Sequence, residues 1–194
     1  MLSKTHSLGV RGVLITISGP AGSGKTTVAR GLSRQLGFVH VSVGDVFREL
    51  AKEHAMTLEE FSKYAEDHPD VDALIDTKQE ELALHHGDVI VDGRLSGWIL
   101  NGDIAVWLNA SLEVRAQRIA QREGVPYKIA LGETAMRDKS EAKRYRTFYD
   151  IDIHNLNIYS LVIDTARWDQ FGVIAIIIEA LRALKKGVNN ELGS

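Results

Sequence analysis

The sequence predicts a three-layer α/β/α fold in which helices cover both faces of a five-stranded parallel sheet. Short apolar runs alternate with helical patterns along the chain, and this alternation is typical of βαβ units with parallel strands. The strand candidates are Val13–Ile17, Phe38–Val41, Val89–Val91, Ile104–Leu108 and Leu161–Ile163. Ligands of such sheets bind beyond the carboxyl ends of the strands, so we expect the functional site among the segments that follow them.

A glycine-rich loop follows the first strand. Residues 19–26 read Gly-Pro-Ala-Gly-Ser-Gly-Lys-Thr and fill every fixed position of the G-x-x-x-x-G-K-[ST] phosphate-binding motif. The loop lies between a strand pattern and a helical pattern, which is the context that the motif requires. The alternative is a glycine-rich turn before a helix. The complete motif in this context predicts a fold of the P-loop NTPase type that binds a nucleoside triphosphate.

The residue types of this loop predict how it holds phosphate. Its glycines allow backbone N–H groups to point at a polyphosphate, and the helix that follows presents its positive end. Lys25 is expected to reach the β- and γ-phosphates, and the Thr26 hydroxyl is expected to ligate Mg²⁺. The predicted ATP-binding residues of the loop are Gly19, Pro20, Ala21, Gly22, Ser23, Gly24, Lys25, Thr26 and Thr27.

Two helical stretches, residues 45–87 and 123–150, interrupt the alternation of strands and helices. Thr57-Leu58-Glu59-Glu60 predicts a capping box that opens one helix of the first stretch, and Pro69 separates this helix from the next. Because both stretches lie at one edge of the sheet, we expect two flaps that close over ligands. The last helix is predicted over Trp168–Leu184.

The predicted organisation is a single domain over residues 13–184, because 194 residues fit one domain of ordinary size. The core comprises residues 13–44, 88–122 and 151–184, with a flap over 45–87 and a lid over 123–150. A short arm, residues 1–12, precedes this domain. A loose tail is expected over residues 185–194, since the sequence turns to Gly and Asn after Lys186.

Composition excludes several classes of function. A net charge of −3 carries no basic excess, which argues against a general nucleic-acid binder. The absence of cysteine excludes a disulfide framework and a thiolate nucleophile, and it suits a cytoplasmic protein. No apolar run approaches the roughly eighteen residues of a membrane span, and the first residues lack the apolar region of a signal peptide. We therefore expect neither nucleic acid nor membrane as a partner.

Two acidic residues are candidate metal ligands. Asp92 ends an apolar strand, where a Walker-B-type acid would hold Mg²⁺ through water, although an Asx turn with Gly93 is the alternative. Asp45 is the second candidate, and the alternative for this residue is a helix N-cap.

Arginines are the candidate phosphate ligands. A triphosphate carries about four negative charges, a phosphorylated acceptor adds nearly two more, and arginine suits bidentate contact with phosphate. Glu141 lies between Arg137 and Arg144 along one helix, so a purely structural ladder of ion pairs is the alternative there. The candidates are Arg48, Arg94, Arg118, Arg122, Arg137 and Arg144.

Beyond the phosphate loop, several stretches resemble the nucleoside monophosphate kinases, and among them the short archaeal-type cytidylate kinases. The resemblance covers roughly residues 13–182. The Ser-x-Gly-Asp-x-x-Arg and Gly-Arg-x-x-Gly patterns are specific to monophosphate kinases. The matching stretches are residues 15–27, 42–51, 58–66, 92–98, 151–153 and 162–165.

The resemblance implies a role for each arginine. Arg48 matches the arginine that grips the acceptor monophosphate, Ser42 falls where the acceptor nucleotide is contacted, and Arg94 matches a phosphate-binding arginine. Arg118 corresponds to the residue that stacks on the donor base. The implied catalytic residues are Lys25, Arg122, Arg137 and Arg144. Bacterial relatives carry Asp directly after the Gly-Arg pair, whereas Leu95 stands here, so Asp92 must serve any metal role.

The implied reaction is a Mg²⁺-dependent phosphoryl transfer from ATP to CMP or dCMP, carried out by a monomer. The second pKa of the acceptor phosphate is about 6, so its oxygen is already ionised and no general base is required. A kinase for AMP, UMP or a small metabolite is one alternative. A nucleotide-gated assembly factor with ATPase activity is another, but such a protein has no use for the pair Arg48 and Arg94.

Overall fold

The computed structural model describes residues 12–191, and side chains up to Lys185, and it contains a five-stranded parallel sheet in the order β2-β3-β1-β4-β5. All five predicted strands are present with ends shifted by at most one residue, and the predicted fold class is confirmed. The strands are β1 Leu14–Ser18, β2 Val39–Ser42, β3 Val89–Asp92, β4 Ile104–Asn109 and β5 Leu161–Asp164.

The helices cover the sheet and form the two excursions. The prediction for the last helix is wrong at both ends, because α8 begins at Gln170 and continues past Lys185 to Glu191. The part of the predicted tail up to Glu191 is therefore helical, while the predicted arm lies outside the described residues apart from Gly12. The helices are α1 Lys25–Leu36, α2 Val43–Glu53, α3 Leu58–Asp67, α4 Pro69–His85, α5 Ser96–Ile99, α6 Leu112–Glu123, α7 Tyr127–Tyr149 and α8 Gln170–Glu191.

The sheet is buried on both faces, as expected for parallel strands between helical layers. On one face, Ile15 and Ile17 of β1 belong to a cluster with Leu32 of α1 and Ile177 of α8. On the other face, Leu14 belongs to a second cluster that includes buried side chains of β2 and β3. The central strand β1 is buried along its whole length, so it provides a rigid base for the loop that follows.

The first excursion, α2 to α4, has a small core of its own. Phe61 is fully buried against side chains of α2 and α4, among them Leu50 and Ile75. The predicted capping box is confirmed: the Glu60 N–H donates to Thr57 Oγ1 at 3.2 Å, and the Thr57 N–H donates to Glu60 Oε2 at 2.8 Å. The separate cluster allows this flap to pack as a unit beside the sheet.

The strand register places the polar strand ends together. Asp92 at the end of β3 is in register with Ile17 of β1 and with Ser42 of β2. On the other side of β1, Asn109 of β4 is in register with Asp164 of β5. The phosphate loop therefore leaves the sheet beside Asp92, at the edge where both excursions begin.

Candidate active site

At two positions of the phosphate loop, only glycine fits the backbone conformation and the space available. Gly22 has φ 77°, and a Cβ atom there would lie 2.7 Å from the Arg115 carbonyl oxygen. Gly19 has φ 144°, and a Cβ atom there would lie 2.2 Å from the carbonyl oxygen of Leu108. The loop ends at Gly24, and α1 begins at Lys25, so its N–H groups are available to an anion.

Lys25 lies across this loop. Its Nζ donates to the carbonyl oxygens of Gly19 and Pro20, at 2.7 Å and 3.0 Å. Burial and the nearby charge of Arg94 lower the pKa of Lys25 from 10.5 to about 7, against the opposing effect of Asp92. An anionic phosphate favours the charged form of an adjacent ammonium, so ligand binding would raise this pKa.

Asp92 connects the loop to the sheet. Its Oδ2 accepts a hydrogen bond from Thr26 Oγ1 at 2.8 Å, and its Oδ1 contacts His40 Nε2 at 2.6 Å. Both oxygens are thus bound by side chains of other elements, which fixes the carboxylate beside the phosphate loop. His40 was not among the sequence candidates, although its place on β2, two residues before Ser42, could have indicated it.

Asp45, the second metal candidate, contacts cations instead. It lies in the first turn of α2, whose N-cap is Ser42 and not Asp45. Its carboxylate forms an ion pair with Arg48 and lies 3.9 Å from Arg30. A Cβ atom on Gly44 would lie 3.6 Å from Arg48 Nη1 and 3.9 Å from Ser42 Oγ. The two predicted acceptor residues, Ser42 and Arg48, therefore lie close together at the start of α2.

Glu141 is the centre of an ion-pair network that the sequence predicted only in part. Its carboxylate contacts Arg137 Nε at 2.8 Å within α7, as the ladder interpretation expects, and it also contacts Arg94 beyond β3. Burial would raise the pKa of Glu141, but Arg94 and Arg137 lower it from 4.5 to about 2. Two predicted phosphate ligands are thus brought together by one carboxylate.

Arg115 connects the lid helix to the loop and is not among the residues predicted from the sequence. This side chain is 5 % exposed, and it donates from Nη1 to the Ala21 carbonyl oxygen at 3.1 Å and from Nη2 to Asp138 Oδ2 at 2.6 Å. The arginines that the sequence indicates follow strand ends or lie in the second excursion. The spacing of Arg115 three residues before Arg118 on α6 was the available signal.

Arg118 and Arg122 border a cavity of about 780 Å³ on the far side of the loop. Arg118 is fixed there by hydrogen bonds from Nη1 to Thr165 Oγ1 at 2.9 Å and from Nη2 to the Thr165 carbonyl oxygen at 2.7 Å. Arg122 forms an exposed ion pair with Glu123 at 2.6 Å. The cavity is also lined by the loop and by residues 165–170.

A second cavity, of about 210 Å³, lies on the other side of the loop, between the loop and the two excursions. Gly22 and Gly24 of the loop line both cavities, as does Arg122, so the two spaces meet at the phosphate loop. The structure thus brings nearly all of the predicted phosphate ligands around one space. The predicted site residues that line it include Lys25, Thr26, Arg48, Asp92, Arg94, Arg122, Arg137 and Arg144.

Arg144 occupies the end of this cavity that is formed by the flap. Its Nε lies 2.8 Å from Asp72 Oδ2 on α4, and both side chains are buried. One turn further along the two helices, Tyr149 donates a hydrogen bond to Asp76 Oδ2 at 2.5 Å. The lid helix α7 therefore contacts the flap helix α4 at two successive polar pairs.

The site combines a phosphate loop and its lysine with an acid at the end of the neighbouring strand. Several arginines surround the cavity between the loop and the two helical excursions. Together these features are those of a P-loop kinase. The model of the cytidylate kinase-like family matches residues 14–167. The chain belongs to this family, and the predicted kinase class is confirmed.

The family assignment agrees with individual relatives. A cytidylate kinase from Methanocella arvoryzae is 47% identical over 174 residues, covering 90% of this chain and 99% of that protein. A cytidylate kinase from Archaeoglobus fulgidus is 48% identical over 178 residues, covering 91% of this chain and 99% of that protein.

Solved structures show the same fold at much lower identity. Deoxyadenosine kinase from M. mycoides with bound dATP has a TM-score of 0.53 at 20% identity, covering 88% of this chain and all of that one (100%). Shikimate kinase from Bacteroides thetaiotaomicron has a TM-score of 0.57 at 16% identity, covering 88% of this chain and 98% of that one. Among the described residues, no helix is both long and apolar enough to cross a bilayer.

Proposed function

We propose that this protein is a cytidylate kinase that transfers the γ-phosphoryl group of ATP to CMP or dCMP, which yields ADP and CDP or dCDP. The observation that carries the proposal is the second cavity, which runs from Lys25 and Thr26 to the acceptor-side arginines Arg48 and Arg94. A protein that only hydrolyses ATP needs no cationic pocket opposite its phosphate loop. Relatives that are named cytidylate kinase match nearly their whole length.

The chemistry requires positioning and charge stabilisation more than proton transfer. The acceptor phosphate is mostly ionised near neutral pH because its second pKa is about 6, so its oxygen can attack without a general base. Lys25, Arg122 and Arg137 line the cavity beside the loop and would surround the oxygens of the transferring group. A loose, in-line transfer is accelerated chiefly by such fixed charges.

Thr26 and Asp92 are the residues that would hold Mg²⁺. Their hydroxyl and carboxylate oxygens lie 2.8 Å apart beside the loop, and Mg²⁺ is commonly bound by one or two protein oxygens together with substrate phosphates and water. A bound Mg²⁺ would neutralise charge on the β- and γ-phosphates. His40 contacts the other oxygen of Asp92 and would fix the orientation of its carboxylate. The contacts of Asp45 with two arginines favour a role in positioning Arg48.

Acidic side chains hold two of the phosphate-facing arginines, Arg94 and Arg137, in place. Glu141 contacts both Arg94 and Arg137, and Asp138 lies 3.5 Å from Arg94. An ordered guanidinium loses less side-chain entropy when it binds phosphate, and phosphate oxygens then take over part of its hydrogen bonding. The carboxylates would therefore keep the arginines pointed into the cavity.

The other candidate functions are a kinase with a different acceptor and a nucleotide-gated assembly factor. AMP, UMP or a small metabolite as acceptor, or an assembly factor with ATPase activity, would each have to account for relatives that are named cytidylate kinase. We further propose a monomer that acts in the cytoplasm without nucleic acid or membrane as a partner. The net charge of −3 argues against nucleic acid, and the absence of cysteine suits the cytoplasm.

Coupled measurement of ADP release tests the proposed function. ADP release should be stimulated strongly by CMP and dCMP, and weakly by UMP, AMP or GMP. Lys25→Ala and Arg94→Ala should each lower kcat/KM for CMP by about 10²-fold or more, because each removes a charge that faces phosphate. Lys63→Ala and Arg146→Ala are matched controls at exposed positions and should keep normal rates. Stimulation by no monophosphate would favour the assembly factor instead.

A further inference from the structure

Asp138 of the lid helix α7 lies between two arginines that come from different parts of the chain. Its Oδ2 accepts from Arg115 Nη2 at 2.6 Å, and its Oδ1 lies 3.4 Å from Arg115 Nη1. The same Oδ1 lies 3.5 Å from Nη2 of Arg94, which follows β3 and lines the second cavity. One carboxylate of the lid therefore contacts both a predicted acceptor arginine and an arginine of the core helix α6.

The position of Arg115 is set by the phosphate loop. Its Nη1 donates to the Ala21 carbonyl oxygen at 3.1 Å, and its Nε donates to the Ala110 carbonyl oxygen at 3.1 Å. Its backbone also lies against the loop, since a Cβ atom on Gly22 would lie 2.7 Å from the Arg115 carbonyl oxygen. The guanidinium is a planar, rigid fork, so a movement of the loop at Ala21 would turn the nitrogens that face Asp138.

These contacts form a continuous polar chain from the donor loop to the acceptor arginine. The chain starts at the Ala21 carbonyl oxygen and passes through Arg115. It continues through Asp138 to Arg94, with successive distances of 3.1, 2.6 and 3.5 Å. Its two ends belong to the parts of the site that we assign to ATP and to the acceptor. Its third member belongs to the lid, the element that is expected to move when ligands bind.

Apolar contacts already hold the two helices of this chain together. Ile119 and Ala120 of α6 belong to one cluster with Ala130 of α7. Asp138 lies about two turns beyond Ala130 along α7. A buried ion pair is weak evidence for stability, because the cost of desolvation offsets much of the attraction. A contact between lid and core that the helix packing does not need is better explained by a role in ligand binding.

We propose that Arg115 and Asp138 are positioning residues that couple the donor site to the acceptor site. A triphosphate in the loop would fix Ala21, the loop would fix the guanidinium of Arg115, and Asp138 would then hold Arg94 towards the acceptor phosphate. The acceptor therefore binds more tightly when the donor is present. By linkage, the acceptor raises the affinity for the donor by the same factor. This inference rests on the proposed function and assigns the regulation of the same site.

Equilibrium binding measures this coupling without turnover. Isothermal titration calorimetry gives the Kd of CMP with and without a saturating Mg²⁺ complex of AMPPNP, an ATP analogue that carries an imido group between its β- and γ-phosphates. The unmodified protein should bind CMP about fivefold or more tightly when the analogue is present. The Kd of the analogue should fall by the same factor when CMP is saturating. Unchanged values of both constants would overturn the proposal.

Arg115→Lys tests the geometry of the chain at constant charge. An ammonium replaces the fork, so it cannot contact Ala21, Ala110 and Asp138 in the same way. CMP alone should bind within about threefold of its affinity for the unmodified protein, while the gain from the analogue should fall below about twofold. Asp138→Asn should have the same effect. The double variant should lose no more coupling than either single variant, because both substitutions break one chain.

Arg146→Lys and Asp150→Asn are the matched controls. These two residues form an exposed ion pair at the end of the same helix, with Nη1 and Oδ1 3.4 Å apart, and neither substitution should alter the coupling. A lower Tm for Arg115→Lys and Asp138→Asn with unaltered coupling would overturn the proposal, since the chain would then only stabilise the lid.

The same measurements separate the coupling from the proposed function. If the unmodified protein neither binds nor phosphorylates CMP, the proposed function is wrong and the coupling proposal fails with it. If the protein phosphorylates CMP and both variants of the chain keep the full gain from the analogue, only the coupling role of Arg115 and Asp138 is wrong.

Discussion

At the scale of single residues, Glu141 determines how the positive charges of the site are arranged. One buried carboxylate contacts Arg94 and Arg137, which belong to different parts of the chain. Both guanidinium groups carry a positive charge, so without Glu141 two like charges would face each other beside Lys25. The carboxylate therefore stabilises the protein and positions the arginines at the same time.

Glu141→Gln should make the free energy of unfolding depend less on pH in the acid range. The pKa of Glu141 is about 2 in the folded protein and near 4.5 when unfolded, so the carboxylate stabilises the fold above pH 4.5 and this stabilisation is lost as the pH falls towards 2. The variant should lose about 3 kcal/mol of unfolding free energy at pH 7 and about half of that or less at pH 3.

Urea denaturation at both pH values measures this difference. Glu133→Gln, an exposed change on the same helix α7, is the matched control and should shift the unfolding free energy little at either pH. A loss of equal size at pH 7 and pH 3 would contradict the assigned pKa shift.

Whether a site residue can be predicted from the sequence depends on how many residues separate it from its contact partner along the chain. The phosphate loop is a contiguous motif, and the strand-end acid Asp92 follows from the βαβ pattern. Arg115 contacts Ala21 across 94 residues, and His40 contacts Asp92 across 52. A local pattern can mark one member of such a pair but not its partner, because only the tertiary fold brings the two together. The acid partners of the arginines could be predicted only where they share a helix, as Arg137 and Glu141 do.

At the scale of elements, local signals predicted helix starts better than helix ends. The capping box at Thr57 and the proline at the start of α4 lie where the pattern placed them. The sequence places the end of α8 too early, because the glycine and asparagines after Lys186 predict a stop, whereas the helix continues to Glu191. Glycine inside a helix costs only about 1 kcal/mol relative to alanine, so a helix that is stabilised by earlier packing can continue past it.

Thr57→Ala should destabilise the flap by removing its helix cap. The Thr57 side chain accepts from the Glu60 N–H, and loss of such a cap costs about 1 kcal/mol. Thr77→Ala is the matched control, since Thr77 is an exposed residue inside α4, where alanine is the better helix former. Thermal denaturation should show a lower Tm for Thr57→Ala and an unchanged or slightly higher Tm for Thr77→Ala. Equal Tm values for both variants would show that the flap is stabilised by its apolar cluster alone.

At the scale of the whole molecule, polar contacts join the flap to the lid helix. Ser140 of α7 contacts Glu66 of α3 across 74 residues, and Tyr149 contacts Asp76 across 73. Together with the Asp72–Arg144 pair, these contacts span the two excursions that enclose the second cavity. The sequence indicated two excursions at one edge but not that they touch, because their contacts are long-range and involve no shared motif. Access of the acceptor to the cavity then depends on how easily these contacts separate.

Ser140→Ala should shift the molecule towards an open arrangement of flap and lid. The hydroxyl donates to the Glu66 carboxylate, and a partly buried hydrogen bond to a charged group contributes about 1.5 kcal/mol. If the closed arrangement binds the acceptor, its smaller population should raise KM for CMP about threefold to tenfold while kcat stays within twofold. Amide hydrogen exchange in α3 should become faster for the same reason. Thr147→Ala, which removes an exposed hydroxyl from the same helix, should change neither quantity. A lower kcat with unchanged KM would instead place Ser140 in the transfer step, and the contact with Glu66 would not control closure.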